Sequence, residues 1–476
     1  MKILLIYPPS ESFFIDTTHS TSGLSPPLGL LYIAKAIEEN DDEVNLIDFT
    51  AEPMNESRLI HEIKNVDLVG ITVLTNSLKN TNELITLIKS KRPRLPIVIG
   101  GPHCTLFPKI SLEETGVDIS VQGDGEKTIV DIINTIKGEK ELSSIPGICY
   151  RIDDSIKLNE SSEIIENLDS ISFPSRNLVT KYAYGKHVNP SVKPGEFTSM
   201  ITSRGCPYSC RFCSRRSINA TFRKRSIKNI INELKEIKEQ GYKYVVFSDD
   251  SFPSKCKRDR QIFEDIIKEN LGLKYYVNAV RVDSVDEYLL SKMKQAGVIF
   301  IQFGLESGNN DVLEFYHKHT TVEEIKKAVH LSHKIGFITA GTFILGAPFE
   351  TKEHFMNTIS FAKSLPLDSV SFLPLRYMAG SDIWYKAVEA GNISSEEYIV
   401  EADSKRGLST ISKKEIISYC KKAQQSYYLR LRFIFLLLVS SLKRDDFTFI
   451  QAYLSLFFKK ISDQLNITKY LKKNNS

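Results

Sequence analysis

Short apolar runs alternate with amphipathic stretches from the first residues: KILLIY (2–7), LGLLYIAKAIEEN (28–40), VNLIDF (44–49) and a helical pattern from Glu56. The order continues through DLVGITVL (67–74), a helix at 83–92, PIVIGG (96–101), DISVQ (118–122) and GEKTIVDIINTIKG (125–138). Continuous apolar strands separated by helices predict a parallel sheet covered on both faces. Residues 1–140 are therefore expected to form a doubly wound, Rossmann-like α/β domain. Over 141–196 the regularity gives way to a hairpin pattern, polar turns and a proline break, which read as a linker.

A second alternating series fills 197–375. Its strands are expected at 197–203, 242–250, 274–280, 298–304, 337–346 and 369–375, with helices at 226–240, 259–270, 285–296, 321–335 and 352–364. Such a series predicts a partial (β/α)6 barrel of the TIM type. The remainder, 376–476, reads as a C-terminal helical segment, basic and aromatic, with stretches YYLRLRFIFLLLVSSLKR (427–444) and FIQAYLSLFFKKI (449–461). The apolar run 433–439 is too short to span a bilayer, which takes roughly 20 residues. Arg430, Arg432, Lys443, Arg444, Lys459 and Lys460 flank apolar faces, leaving two readings: a helical pair packed on the barrel, or peripheral attachment to a membrane.

Composition changes this picture little. A chain of 476 residues has room for two or three full cores, and a net charge of +4 does not by itself imply nucleic acid. The seven cysteines are mostly scattered, unlike a secreted disulfide framework, and MKILLIYPPS suits a first buried strand better than a signal peptide. A cytoplasmic protein is expected.

The chemistry enters at 204–216, RGCPYSCRFCSRR, where Cys206, Cys210 and Cys213 stand in C-x3-C-x2-C spacing just after the first barrel strand. Barrel active sites sit at that end of the strands. A structural zinc site takes four protein ligands, and the nearest histidine, His187, lies well upstream. Three thiolates can instead hold three irons of a four-iron cube and leave the fourth open to a small molecule. Zinc stays as the competing reading of the same residues.

With GCP at its start and Phe212 inside it, this motif resembles that of the radical S-adenosylmethionine (SAM) superfamily. The resemblance implies a [4Fe–4S] cluster on the three cysteines and SAM on the fourth iron, with reductive cleavage giving a 5′-deoxyadenosyl radical. It further implies SAM contacts at Ser248, Asp249 and Asp250 of FSDDSF, at Arg281 of NAVRVDS, and at Glu306 and Ser307 of FGLESG. Gly341 and Gly346 of GTFILGAPFET would lie beside the adenine. Read alone, the acidic pair is a helix cap, Arg281 and Glu306 are structural ion-pair partners, and the glycines close a strand. Arg204 and Arg211 are expected to offset the charge of the cluster, and Arg215 and Arg216 to face solvent.

The front segment resembles the cobalamin-binding domain of the B12-dependent class of these enzymes, through SPPLGLLYIA (25–34), GITVLTNS (70–77), GGPHCTLFP (100–108) and QGDGEKTI (122–129). That resemblance implies cobalamin contacts at Gly70, Thr72, Thr75, Asn76, Gly100, Gly101 and Gly123. The D-x-H-x-x-G element that supplies a histidine to cobalt is missing, and His103 is not assigned that role. A doubly wound domain that merely docks on the barrel is the alternative.

The expectation is a cobalamin-dependent radical SAM methyltransferase acting on an unactivated carbon or phosphorus centre. One SAM would methylate cobalamin and a second would generate the radical. The alternatives are a cyclisation or rearrangement with the same cofactors, or a zinc-stabilised lipid- or nucleic-acid-binding protein. Expected partners are a small-molecule or lipid-like substrate and an electron donor such as flavodoxin or ferredoxin, with no nucleic acid. The front domain lacks the second cysteine set of tRNA methylthiolating enzymes.

Overall fold

The structure is a computed structural model. It describes residues 1–10 and 25–430 except 154, 160–163, 187, 188, 190, 220 and 255, together with 433, 435, 438, 439, 441, 442 and 450. The first sheet contains β1 (Lys2–Tyr7), β2 (Glu43–Asp48), β3 (Leu68–Thr72), β4 (Ile97–Gly100), β5 (Ile119–Val121), β6 (Ile148–Ile152) and β7 (Ser155–Leu158). Its order is β2-β1-β3-β4-β5-β6-β7. The first five strands run parallel, and Ile3 and Leu5 face the helices Leu28–Glu39 and Glu126–Ile136 while Leu4 and Ile6 face Glu56–Glu62 and Leu78–Lys91. Burial on both faces explains their unbroken apolar runs.

The hairpin expected inside the linker is β6–β7, and it pairs antiparallel with β5. The sheet is therefore mixed, and this stretch is part of it rather than a tether. A three-residue β5 would otherwise expose its backbone as a sheet edge, and the hairpin covers it.

The second sheet contains β8 (Phe197–Met200), β11 (Tyr244–Phe247), β12 (Lys274–Val280), β13 (Val298–Glu306), β14 (Ile338–Leu345) and β15 (Ser369–Pro374), all parallel and in sequential order. Among the described residues no pairing joins β15 to β8, so this sheet is open. Between β8 and β11 lies a short antiparallel ribbon, β9 (Ser203–Arg204) with β10 (Arg223–Lys224). Phe247, Phe303, Phe343 and Phe372 turn to the helix layer, and the alternate positions turn to the other face.

The C-terminal region differs from an all-helical segment: β16 (Arg376–Met378) pairs with β17 (Ile399–Glu401) beside the helix Asp382–Glu389. A longer helix, Lys413–Tyr428, falls within the segment expected to be helical, and its bounds follow from Ser412 with Glu415 at its start and the buried series Ile416, Cys420, Ala423, Tyr427. The stretch 427–444 is only partly described, and 449–461 lies outside the described residues except Ile450. Among the described residues no helix is long and apolar enough to cross a membrane.

Residues 176–197 fasten the two sheets together. Val179, Tyr182, Tyr184 and Val192 pack under the second sheet with Phe197, Val246, Tyr276, Phe300 and Ile338, in one core with Ile3, Leu5 and Leu31 of the first unit. Tyr184 donates to Asp48 at 2.7 Å. Arg176, fully buried, pairs with Glu233, which also holds Arg225. Arg176 Nη2 and Nε also reach Ser199 O at 2.9 Å and Thr198 Oγ1 at 3.0 Å.

Removing the carboxylate from this triad leaves two guanidiniums buried without compensation. Glu233→Ala is expected to cost about 3–5 kcal/mol, read from the urea midpoint, with Glu233→Leu no milder because both arginines remain.

Candidate functional site

The ribbon β9–β10 is the stem of a loop, 205–222, that carries all three clustered cysteines. Gly205 enters it at φ 87°, and a Cβ there would stand 2.6 Å from Thr221 O, so the turn admits only glycine. Further bonds fix the loop: Arg211 N to Tyr316 O (3.1 Å), Ile383 N to Arg211 O (3.1 Å), Cys213 N to Cys210 O (3.1 Å) and Ser217 Oγ to Gly380 O (2.6 Å). Phe212 lies edge-on to Tyr316, ring centroids 5.1 Å apart.

Cys206, Cys210 and Cys213 are half-buried free thiols. Burial pushes Cys213 up to about 11, so its proton must be displaced by a metal for it to ligate. Among the described residues no three His, Cys, Asp or Glu side chains converge on one metal-ion position. The donor set of three free thiols on one rigid loop fits a multi-iron cluster, whose ligands bind different irons. A cation stands beside the thiols: Arg281 has Nη1 3.9 Å from Cys210 Sγ and its guanidinium 3.9 Å above the Tyr208 ring. Its remaining donors go to Asp283 (2.9 and 3.1 Å) and Lys318 O.

The expected SAM contacts fall into two groups. Ser248 and Asp250 face a cavity beside the cysteine loop, and Asp250 meets Arg215 at 3.2 Å. Asp249 does not: it is buried and accepts from Thr202 N, Thr202 Oγ1 (2.9 Å) and Ser203 Oγ (2.6 Å), so it holds the strand entering the stem. Burial raises its carboxyl to about 6. Ser307 likewise turns to the helix layer, against Thr358 Oγ1 at 3.2 Å. Glu306, at φ 63°, is buried in an ion pair with Lys318 at 2.7 Å.

Gly341 is explained by packing, since a Cβ would meet Leu305 Cδ1 at 2.6 Å on the helix side. Gly346, at φ 117°, faces Ile416 and Ala402 rather than a ligand face. Its N–H and that of Ala347 both donate to Glu350 Oε2 at 2.7 Å, which closes the turn after β14.

The cavity, about 390 Å³, lies between the C-terminal ends of the first sheet's strands and Arg204, Arg215, Ile218, Asn219, Ser248 and Asp250; the three cysteines do not line it. Gly70, Thr72, Gly100, Gly101 and Gly123 all line it; Thr75 and Asn76 do not. Thr75 instead meets His103 Nδ1 at 3.3 Å. A Cβ on Gly70 would stand 2.7 Å from Leu5 Cδ2, and on Gly101, at φ 104°, 2.8 Å from Thr72 Oγ1. Such a glycine floor at the switch point of a parallel sheet is a cradle for a large ligand and fits a corrinoid.

Two arginines are placed differently from expectation. Arg204 pairs with Asp124 (2.8 Å) and Glu126 of the front unit, and Arg211 stands 3.6 Å from Asp382. Arg215 and Arg216 are both exposed as expected, and Arg215 also meets Asp250.

Two features escaped sequence reasoning. Asn278, Gln302, Thr342 and Ser371 form a partly exposed polar patch on the face of the second sheet opposite its helices, with Gln302 Nε2 3.2 Å from Thr342 Oγ1. Their signal was polar residues interrupting apolar strands. The second is an aromatic junction in which His103 and Phe107 meet Tyr398 (4.8 and 5.0 Å), while Phe107 meets Trp384 (6.1 Å). It seats the C-terminal region on the front unit, and burial lowers His103 to about 4, keeping it neutral. No spacing in the sequence announces it.

Comparison with known proteins gives a consistent result. The Radical SAM superfamily profile matches residues 200–362 and the B12 binding domain profile matches 16–133. An uncharacterised methyltransferase of Pyrococcus horikoshii is 32% identical over 437 residues, covering 90% of this chain and 93% of the relative. The anaerobic magnesium-protoporphyrin IX monomethyl ester cyclase of Rubrivivax gelatinosus is 26% identical, covering 76% and 66%. The radical S-adenosylmethionine methyltransferase TsrM of Kitasatospora setae, solved with cobalamin and a [4Fe–4S] cluster bound, aligns with a TM-score of 0.66 at 19% identity, over 82% of this chain and 75% of that one.

The turn after β14 generates a pH test. Glu350 is fully buried and burial raises its carboxyl from 4.5 to about 7. A raised acid favours the folded state fully below its unfolded pKa, and that contribution is lost as pH rises through the folded value. Stability should therefore fall between about pH 5 and pH 8, by up to roughly 3 kcal/mol from this group. Glu350→Gln, which keeps the acceptor for Gly346 and Ala347, is expected to flatten that part of a chemical-denaturation pH profile.

Proposed function

Because the chain belongs to the radical SAM superfamily, in the class that carries a cobalamin-binding domain, we propose that it is a methyltransferase acting on an unactivated carbon or phosphorus centre. One observation carries this reading: a single cavity is walled by the glycine floor of the first sheet and, opposite it, by Arg215, Ile218 and Asn219 of the loop that also bears Cys206, Cys210 and Cys213, although the cysteines themselves do not line it. A corrinoid and a SAM-bound cluster would then face one space. Similarity over nearly full length to a relative described as a methyltransferase supports the same assignment.

In this reading 1–140 hold cobalamin, and 197–375 form an open (β/α)6 barrel that holds the cluster and SAM. Residues 141–196 and 376–476 frame them. When bound, the cluster and SAM supply radical chemistry and cobalamin supplies methyl transfer. Cys206, Cys210 and Cys213 would ligate iron, with Arg281 beside Cys210 placing positive charge near the thiolates. Ser248 and Asp250, which line the cavity, would receive the SAM amino group. Asn278, Gln302, Thr342 and Ser371 would offer hydrogen bonds to a substrate on the inner face of the second sheet.

The substrate we propose is a small or lipid-like molecule, with an electron donor such as flavodoxin or ferredoxin, in the cytoplasm, and peripheral membrane contact through the basic C-terminal stretches. A cyclisation is the second reading, from similarity to the magnesium-protoporphyrin cyclase.

After anaerobic reconstitution with iron, sulfide and cobalamin, the reduced protein is expected to convert SAM to both 5′-deoxyadenosine and S-adenosylhomocysteine. Cys206→Ala, Cys210→Ala and Cys213→Ala should each lose cluster absorbance and 5′-deoxyadenosine formation. Deoxyadenosine without S-adenosylhomocysteine would favour cyclisation, and an alanine variant that keeps both cluster and cleavage would overturn the assignment.

A further inference from the structure

The stem of the cysteine loop contains an electrostatic problem that the front unit solves. In the β9–β10 ribbon Arg204 stands directly opposite Arg223. Directly opposed residues of an antiparallel pair project from the same face, and like charges so placed repel. The ribbon is only two residues long on each side, too short to hold against that repulsion by its own backbone bonds.

Between the two guanidiniums sits one carboxylate, Asp124, on the loop after β5 of the other sheet. Its Oδ1 takes Arg204 Nη1 at 2.8 Å, and its Oδ2 takes Arg223 Nη1 and Ile165 N at 2.9 Å. The side chains of Asp124 and Arg223 are 8% and 7% exposed, so water cannot replace this contact. Glu126 gives Arg204 a second partner, whereas Asp124 is the ion-pair partner of Arg223 among the described residues. Neighbouring charges hold Asp124 below the usual carboxylate range against the opposing effect of its burial, so it stays charged at neutral pH.

We propose that Asp124 is a positioning residue for the iron–sulfur cluster: by bridging Arg204 and Arg223 it closes the stem of the cysteine loop from the neighbouring unit. The inference rests on the cluster assignment above and adds a requirement that the three cysteines do not meet alone. Gly205 transmits the position of Arg204 directly to Cys206, since no side chain fits that turn. The same loop, 123–126, lines the corrinoid cavity, so one carboxylate sets the separation of cavity wall and cysteine loop.

Asp124→Asn keeps the shape and removes the charge that both arginines need. In the full-length reconstituted protein, iron loss to a ferrous chelator should quicken by about tenfold while the circular dichroism spectrum stays that of the wild type. Adding Arg223→Gln removes the like charge opposite Arg204, and iron retention should recover toward wild type, a rescue that damage to the fold would not show. Wild-type retention in Asp124→Asn, or no recovery in the double variant, would overturn the proposal and leave the cluster assignment standing. A wild-type protein that takes up no iron would overturn both.

Discussion

A parallel sheet delivers the C-terminal ends of all its strands to one edge, and here two such edges face each other. Everything chemical in the molecule follows from that constraint. The first sheet contributes an edge floored by glycines at Gly70, Gly100 and Gly101, the second contributes the cysteine loop with Ser248 and Asp250, and the cavity is what remains between them. Neither edge encloses a ligand alone. The segments before and after the second sheet hold this opposition: one packs under the strands, and the other holds the loop through Gly380 and Ile383 and rests on the front unit through the aromatic junction.

Much of this was readable because the relevant signals are local. Strand and helix order followed from apolar periodicity, and the six strands of the second sheet occur where the runs placed them. The three cysteines were readable because their spacing is itself the chemistry. The misplaced residues share another cause. Asp249 and Ser307 follow strand ends where a ligand contact was expected, but their side chains turn into the protein, and Gly341 lies inside its strand, where the missing Cβ makes room for Leu305. A one-residue change of phase decides between a ligand face and a helix face, and only neighbouring strands fix that phase.

Long-range charge pairing was equally hidden. Arg204 and Asp124 are 80 residues apart, and Arg176 and Glu233 are 57 apart. Nothing in either local sequence marks its partner. Arg204 and Arg211, read as companions of an anionic cluster, instead pair with Asp124, Glu126 and Asp382, while a cation beside the thiols comes from a distant strand end at Arg281. The motif thus encodes both a metal loop and the attachment of that loop to its surroundings.

The plug formed by 176–197 has a consequence for the physical state of the molecule. Because Val179, Tyr182 and Tyr184 belong to one core with strands of both sheets, parting the sheets would expose apolar surface on each. The two units then melt as one cooperative body rather than as beads on a string. Their mutual distance is therefore set by the packing of the folded chain itself.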